Sequence, residues 1–292
     1  MHPTLRELQD FHVRAPAASA WNQRYLQMSP GSMRSTLREW SNGEVHVFRK
    51  WISGRVVQQG GVPRGQLCFA MLGAAPAGAF WAQGRDFGAG ELLVLRGGQD
   101  FEFQRPAGVE LLSVSLSAGL LEAAPWPATV GAAVVRPDGR ALQALRRGVR
   151  AQLAAADAAG TGVLLQLLQA VLAQSAPVRP RGTRAARLVG ECQRIIAGTR
   201  QETPLRIEEL CVRLQTSRRT LQNSFTQVTG TRPATYLRNL RLNAVRRQLM
   251  ATSPAELSVT SAAMEAGFEH LGHFAGNYKA LFGEPPSRTP RR

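Results

Sequence analysis

The sequence predicts a two-part α+β protein: a β-rich N-terminal half, and an all-α C-terminal domain built on a duplicated helical unit. Three observations predict it. Leu221, Phe225, Gly230 and Pro233 recur as Phe274, Tyr278, Gly283 and Pro286, each 53 residues later. A fixed internal period marks one supersecondary unit used twice. Residues 33–117 alternate short apolar runs with Gly and Pro clusters, the pattern of many short strands in a sandwich or barrel. Charge is the third. The chain of 292 residues carries a formal net charge of +16, and after Thr183 there are 17 Arg and Lys against 8 Asp and Glu, with no Asp beyond Asp157. A basic domain of that size suits a phosphate-backbone partner. The preference for Arg over Lys reads as genome-wide usage; the scarcity of acids in the last third does not.

Composition also excludes classes. Cys68, Cys192 and Cys211 are odd in number and widely spaced, without a CxxC pair, which argues against a disulfide framework or a structural zinc site. No stretch approaches transmembrane length and the N-terminus lacks a signal-peptide pattern, so the expectation is a cytoplasmic protein away from the membrane.

In chain order, Leu5, Leu8, Phe11 and Val13 suggest a short helix or strand, followed by a small-residue loop over 15–20. Asn42-Gly43 between the runs 33–40 and 44–51 is a strong hairpin signal. Further strands are expected at 55–58, 66–72, 79–82, 91–96, 101–104 and 109–115, separated by Gly and Pro. After the prolines at 125 and 127 the period changes. Leu142, Leu145, Val149 and Leu153 mark one amphipathic helix. Leu164, Leu165, Leu167, Leu168, Val171 and Leu172 mark another that is apolar nearly all round and calls for two contact surfaces: a dimer partner, or the ordinary core of the N-terminal half. Residues 175–183, with two prolines and a glycine, read as a linker. A helix over 184–198 turns Leu188, Cys192, Ile195 and Ile196 inward.

The duplicated unit follows. Ile207, Leu210, Cys211 and Leu214 lie on one helical face. Ser217 can cap a second helix, whose buried face is Leu221, Phe225 and Val228 and which Gly230 ends. In the second copy Ser258 caps a helix bearing Val259, Ala262, Ala263 and Ala266. Gly267-Phe268 turns, and Leu271, Phe274, Ala275, Tyr278, Leu281 and Phe282 line the partner helix. Each copy is a helix-turn-helix. Pro233 opens a single helix to about Ala251, with one stripe at Leu237, Leu240 and Ala244 and another at Leu242, Val245 and Leu249. Its length of about 28 Å roughly matches one turn of B-DNA, about 34 Å.

Leu221, Phe225, Gly230, Pro233, Tyr236-Leu237, Leu240-Arg241-Leu242, Gly267-Phe268, Phe274, Tyr278-Lys279, Phe282-Gly283 and Pro286-Ser287, in that order, resemble the DNA-binding domain of AraC/XylS-family transcription regulators over roughly the last hundred residues. The resemblance implies a cytoplasmic, dimeric regulator, an activator and not an enzyme, that binds double-stranded promoter DNA and meets RNA polymerase. It implies no cofactor. It also implies a cupin-like β-barrel or jelly-roll over residues 1–125 that senses a small-molecule effector, a helical dimerisation segment over 126–175, a linker over 176–183, a DNA-binding domain over 184–288 and a basic, disordered tail over 289–292. The sequence departs from the family pattern at Arg206, where a capping Ser or Thr is usual, and at Cys211, Ala262 and Gly276.

On the first of the two expected recognition helices, Arg219, Gln222 and Asn223 are expected to reach bases, since Arg can fork to guanine and Gln or Asn to adenine. Arg218 and Thr226 are expected at phosphates. On the second, His273 and Asn277 are candidates. Arg241 and Lys279, with Arg238, Arg246 and Arg247, either meet phosphates or pair internally. His270 and His273 lack a third ligand, and no metal site is expected. For the effector, Trp40, Phe48, Trp51, Phe69 and Trp81 are candidate lining. Two other readings are open: a DNA-binding regulator gated by a protein partner at the 164–172 face, and an enzyme fused to a DNA-binding domain, which would need a reactive Cys68.

Overall fold

The computed structural model describes residues 4–8, 22–123, 125–131, 133–155, 160–178, 182–198 and 205–292. Its N-terminal half is two antiparallel sheets. The larger is ordered β1 (Thr4–Leu8), β3 (Ser35–Ser41), β4 (Val45–Ile52), β11 (Glu110–Ser117), β6 (Gln66–Leu72), β9 (Leu92–Arg96), β12 (Val134–Arg136) and β13 (Ala176–Pro177). The smaller is β2 (Asn22–Gln27), β5 (Val56–Gly61), β10 (Asp100–Arg105), β7 (Trp81–Ala82) and β8 (Arg85–Asp86). The two sheets do not close into the expected barrel. Among the described residues no strand pairs across them, and each keeps its own edges, β1 and β13 in one and β2 and β8 in the other.

The Asn-Gly hairpin forms as its chemistry requires. Ser41 faces His46 across β3 and β4. Asn42 Oδ1 accepts the backbone N–H groups of Glu44 and Val45 at 3.1 and 2.8 Å. Gly43 takes φ +94°, where a side chain would be strained.

Strand alternation sorts the apolar residues into layers. Phe48, Leu72, Phe80, Phe87, Phe101, Phe103 and Leu111 fill the space between the sheets. On the opposite face of the larger sheet, Trp40, Val47, Phe69, Met71 and Val114 pack under α2 (Gly139–Ala155) and α3 (Gly160–Ala173). A short α1 (Ala118–Glu122) leads from β11 toward them. Leu164, Leu168, Val171 and Leu172 of α3 are buried in this layer, while Val163 is 58% exposed. Most of the apolar girth of α3 is therefore spent inside the chain. The stretch expected as linker begins as a strand: Ala176 and Pro177 pair with β12, and the Val178 N–H reaches the Val134 carbonyl.

The C-terminal half contains α4 (Arg184–Gly198), α5 (Ile207–Arg213), α6 (Arg218–Thr229), α7 (Pro233–Ala251), α8 (Val259–Glu265) and α9 (Leu271–Phe282). The long α7 joins two small cores. Its Tyr236 and Leu237 pack with Val189, Cys192, Leu210, Leu221, Phe225 and Val228, and its Leu242, Val245 and Leu249 pack with Ala262, Ala263, Phe274, Tyr278 and Phe282. Such a helix has no polar face along its length, because its two halves are buried in opposite directions. The tail expected as disordered is anchored. Thr289 is buried, with its hydroxyl 2.6 Å from the Tyr278 hydroxyl, and Arg291 donates to the Leu257 carbonyl at 2.7 Å.

The outer face of the smaller sheet packs against this helical half. Leu26, Met28, Val57 and Trp81 share one core with α4, α6 and α7. Polar bonds fix the register. Asn243 Oδ1 accepts the Gln27 N–H at 2.8 Å while its Nδ2 donates to the Gln27 carbonyl at 3.0 Å, as a strand partner would. Asn239 donates to the Met28 carbonyl, and the Gly31 N–H reaches the Ala280 carbonyl at the end of α9. The stretch from Gln27 to Gly31 thus touches both α7 and α9.

Candidate nucleic-acid interface

Helix α6 is closed at both ends by its own sequence. Ser217 accepts the Thr220 N–H at 3.1 Å, and Gly230 takes the left-handed conformation at φ +67°. Leu221, Ser224, Phe225 and Val228 face inward, and Phe225 meets the Tyr236 ring edge-on at 5.2 Å between centroids. That packing fixes the rotation of the helix. Arg218, Arg219, Gln222, Asn223 and Thr226 are consequently all exposed on the opposite side. Arg218 pairs with Glu208 of α5 at 3.3 Å, an exposed contact worth little in water and open to exchange for a phosphate. The Thr226 hydroxyl donates to the Gln222 carbonyl at 2.9 Å, so its proton is engaged within the helix.

Helix α9 is weaker by construction. Ser258 caps the preceding α8 through the Ser261 N–H at 2.9 Å. At the start of α9, however, His270 gives no side-chain cap, and Gly272 and Gly276 lie inside the helix, each costing about 1 kcal/mol against Ala. His273 is exposed, and Asn277 spends an amide donor on the His273 carbonyl at 2.7 Å. Lys279 is exposed in the last turn.

The remaining basic candidates divide. Arg241 donates to the Leu205 carbonyl at 3.2 Å and is half-buried, tying α7 to the start of α5; burial lowers its pKa. Arg246 is buried, paired with Glu284 at 2.7 Å and stacked over the Phe282 ring. Of the two roles open to these residues, this geometry supplies the internal one. At the departure from the family pattern, the Arg206 side chain has no acceptor to offer. The Glu209 carboxylate instead accepts the Arg206 N–H at 3.0 Å, half of a capping box. Thr203, which precedes Pro204 and is placed in the sequence to cap the helix one turn earlier, lies outside the described residues.

The aromatic residues expected to line one effector pocket do not come together. Trp40 and Phe69 lie under the helices, Phe48 lies between the sheets, and Trp81 lies against the helical half. Trp51 donates to the Gly108 carbonyl at the hairpin end. The cause is alternation. Neighbours on strands buried on both faces point into different layers. The sequence reading missed the cleft of about 140 Å³ between the smaller sheet and the end of α6, at which Arg55 donates to the Gly230 carbonyl; the buried Arg105, whose guanidinium bonds Gln58 and the Lys50 and Val109 carbonyls between the sheets; and the contact of Asn239 and Asn243 with Gln27 and Met28. Two asparagines four residues apart inside a helix were the available signal for the last.

Among the described residues no group of three or more His, Cys, Asp or Glu could hold a metal ion, and no helix is long and apolar enough to cross a membrane. Cys68, the one candidate nucleophile, is buried. Burial pushes its thiol up to about 11, the wrong direction for a reactive thiolate.

A family model described as a helix-turn-helix domain matches residues 210–292. Over 86 residues the chain is 42% identical to the XylDLEGF operon transcriptional activator of Pseudomonas putida, a match covering 30% of this chain and 27% of that protein. The C-terminal domain is that of an AraC/XylS-family transcription regulator. A second match, at 37% identity over 90 residues, is to a probable thc operon regulatory protein of Rhodococcus erythropolis, covering 31% of this chain and 27% of that one. The matched part thus spans about a quarter of the length of these curated relatives. Among solved structures, the AraC-like transcriptional activator CuxR aligns at 15% identity over 72% of this chain and 80% of its own, with a TM-score of 0.38. The DNA-binding domain of AdpA in complex with a target DNA aligns at 24% identity over 35% of this chain and 86% of its own, with a TM-score of 0.29.

Proposed function

We propose that the whole chain is a sequence-specific DNA-binding transcription regulator, an activator, in which α6 reads bases. The observation that carries this is the capped, rotationally fixed α6 with Arg219, Gln222 and Asn223 on its exposed face, inside an AraC/XylS-type domain. N-terminal residues of a recognition helix reach base edges most readily. Arg218 and the exposed Lys279 serve the backbone, Thr226 can do so only by giving up its bond to the Gln222 carbonyl, and Arg241 braces α7 against the start of α5 from inside. The α8–α9 pair acts as a second helix-turn-helix in the neighbouring groove through His273 and Asn277. It contributes less sequence reading, because two glycines and a missing cap loosen α9. The N-terminal half, a cupin-like sandwich, senses a small effector. Two subunits associate through the outer surface of α2 and α3, where Val163 is exposed, and the bound dimer engages RNA polymerase.

The test is selection of fragmented genomic DNA by the purified chain, followed by base-by-base substitution in the recovered site. The proposal expects a recurring motif spanning about two helical turns, with the steeper loss in the half facing α6. Equal loss in both halves contradicts the ranking of the helices. Diffuse binding that disappears with modest salt would leave only the phosphate contribution and sink the proposal.

A further inference from the structure

We propose that the stretch from Gln27 to Gly31, with Arg55 beside it, is a brace that sets the spacing between the two recognition helices, and that Gln27 is a positioning residue for DNA reading by α9. It rests on the reading above in which both α6 and α9 enter DNA, and adds what holds them at one separation.

The two helix-turn-helix units have separate cores. The first packs around Val189, Leu210, Leu221 and Phe225, the second around Ala262, Ala263, Phe274 and Tyr278. Among the described residues α7 is the one helix that contributes to both. A single helix is a compliant joint. A bend of about 15° at the middle of α7 moves its far end, ~14 Å away, by roughly 3.5 Å, about one base-pair step. One strut alone therefore sets the register of two recognition helices loosely.

The sheet half makes a second connection, at equivalent places in the two copies. Gly230 ends α6, and Gly283, 53 residues later, ends α9. Carbonyl groups at a helix C-terminus lack partners within the helix. At α6, Arg55 Nη1 donates to the Gly230 carbonyl at 2.8 Å. At α9, the Gly31 N–H donates to the Ala280 carbonyl at 3.0 Å, and Gln27 Nε2 donates to the Leu281 carbonyl. The two grips belong to one piece of backbone. The Met28 N–H donates to the Arg55 carbonyl at 2.9 Å, and the Arg55 N–H donates to Ser29 Oγ at 2.9 Å. Asn239 and Asn243 pin the same piece to α7. Helices α6, α7 and α9 thus form a frame that residues 27–31 and Arg55 close.

The grips are unequal. The first copy shares an apolar core with Leu26, Met28, Val57 and Trp81, so Arg55 adds to a contact that stands without it. The core of the second copy contains no residue of the sheet half, so α9 is held there by hydrogen bonds. Gln27, 3% exposed, is their centre. Its amide also reaches the Ser29 and Gly31 carbonyls, at 2.9 and 2.6 Å, and so fixes the turn that presents the Gly31 N–H to α9.

The experiment measures binding of the full chain to its selected motif and to versions with one or two base pairs added or removed between the halves. Wild type should lose at least about tenfold for a one-base-pair change, since half-site spacing mirrors the geometry of the protein. Gln27→Ala should lose less than about threefold for the same change, with Arg55→Ala in between. Ser217→Ala, which frays α6 and leaves the brace intact, should weaken every spacing alike. A spacing penalty unchanged in Gln27→Ala, or relaxed equally in Ser217→Ala, would overturn the proposal. Nitroxide labels test the brace without DNA, at Thr226→Cys and Lys279→Cys in a Cys211→Ala background. These two exposed positions are equivalent in the two copies. Pulsed electron resonance should give a narrow distance distribution in the otherwise wild-type chain and a broad one with Gln27→Ala; equal widths would also overturn it. If no motif is selected, the DNA-reading proposal fails, and the label distances still decide whether the brace exists.

Discussion

Removing the side chain of Asn243 should uncouple the two halves of the protein. Asn243 is 1% exposed and Gln27 is 3% exposed. Its amide satisfies both the N–H and the carbonyl of Gln27 across the interface, at 2.8 and 3.0 Å. In Asn243→Ala those two backbone groups stay buried without partners. An orphaned buried polar group costs about 1–3 kcal/mol, so about 2–4 kcal/mol is lost from the interface once partial rehydration is allowed for. Both lost bonds cross from α7 to β2 and neither joins elements within one half, so each half should keep its own stability. Calorimetry should show one transition in the wild type and two in the variant, and amide exchange should accelerate along residues 22–31. Gly283→Ala attacks the same interface from α9: the new Cβ would stand 2.9 Å from the Ser32 backbone nitrogen at φ +79°, so it should produce the same splitting. A single unshifted transition in both variants, with unchanged exchange at residues 22–31, would refute the reasoning that these contacts bind the halves together.

Two further predictions concern the sandwich interior and the cap of α6. Burial, with Arg105 next in effect, pulls the Lys50 ammonium from 10.5 down to about 7. The unfolded chain then holds that proton up to about pH 10.5 while the folded chain sheds it above about pH 7, so this group makes stability rise with pH between those values. Lys50→Met should therefore be more stable than wild type at pH 7, with the gap shrinking by about 2 kcal/mol by pH 9 in urea titrations; parallel pH profiles would count against it. Ser217→Ala removes the acceptor for the Thr220 N–H and should cost about 1 kcal/mol, with weaker DNA binding because α6 frays where Arg218 and Arg219 sit. Unaltered unfolding and DNA affinity would contradict that link.

Much of the fold was legible because local chemistry and tertiary demand agree. Asn42-Gly43 places its hairpin, Ser217 and Ser258 start their helices, and Gly230 and Gly283 end theirs in the left-handed conformation. The six later strand segments fall where short apolar runs stand between Gly and Pro. Strand β2 was not legible. Asn22–Gln27 is mostly polar, and its two apolar residues serve different neighbours: Tyr25 lies in the sandwich interior, whereas Leu26 packs on the DNA-binding domain. The effector lining failed for a related reason. Val47 and Phe48 are both buried but face opposite layers, so aromatic content does not reveal a shared pocket. Arg105 gave no signal because a basic residue ending a strand before Pro106 looks like an exposed turn. Its burial follows only from how the two sheets stack.

The central claim is that α6 reads bases through Arg219, Gln222 and Asn223. The measurement that tests it most directly is selection of sites from a random DNA pool by wild type and by Arg219→Ala, at one fixed salt concentration. The account predicts a defined motif for wild type and loss of preference at one position, most simply a guanine, in the variant, worth about 1–3 kcal/mol against the other bases. A motif that keeps its preference at every position, with affinity lowered uniformly, would make Arg219 a phosphate contact and contradict the claim.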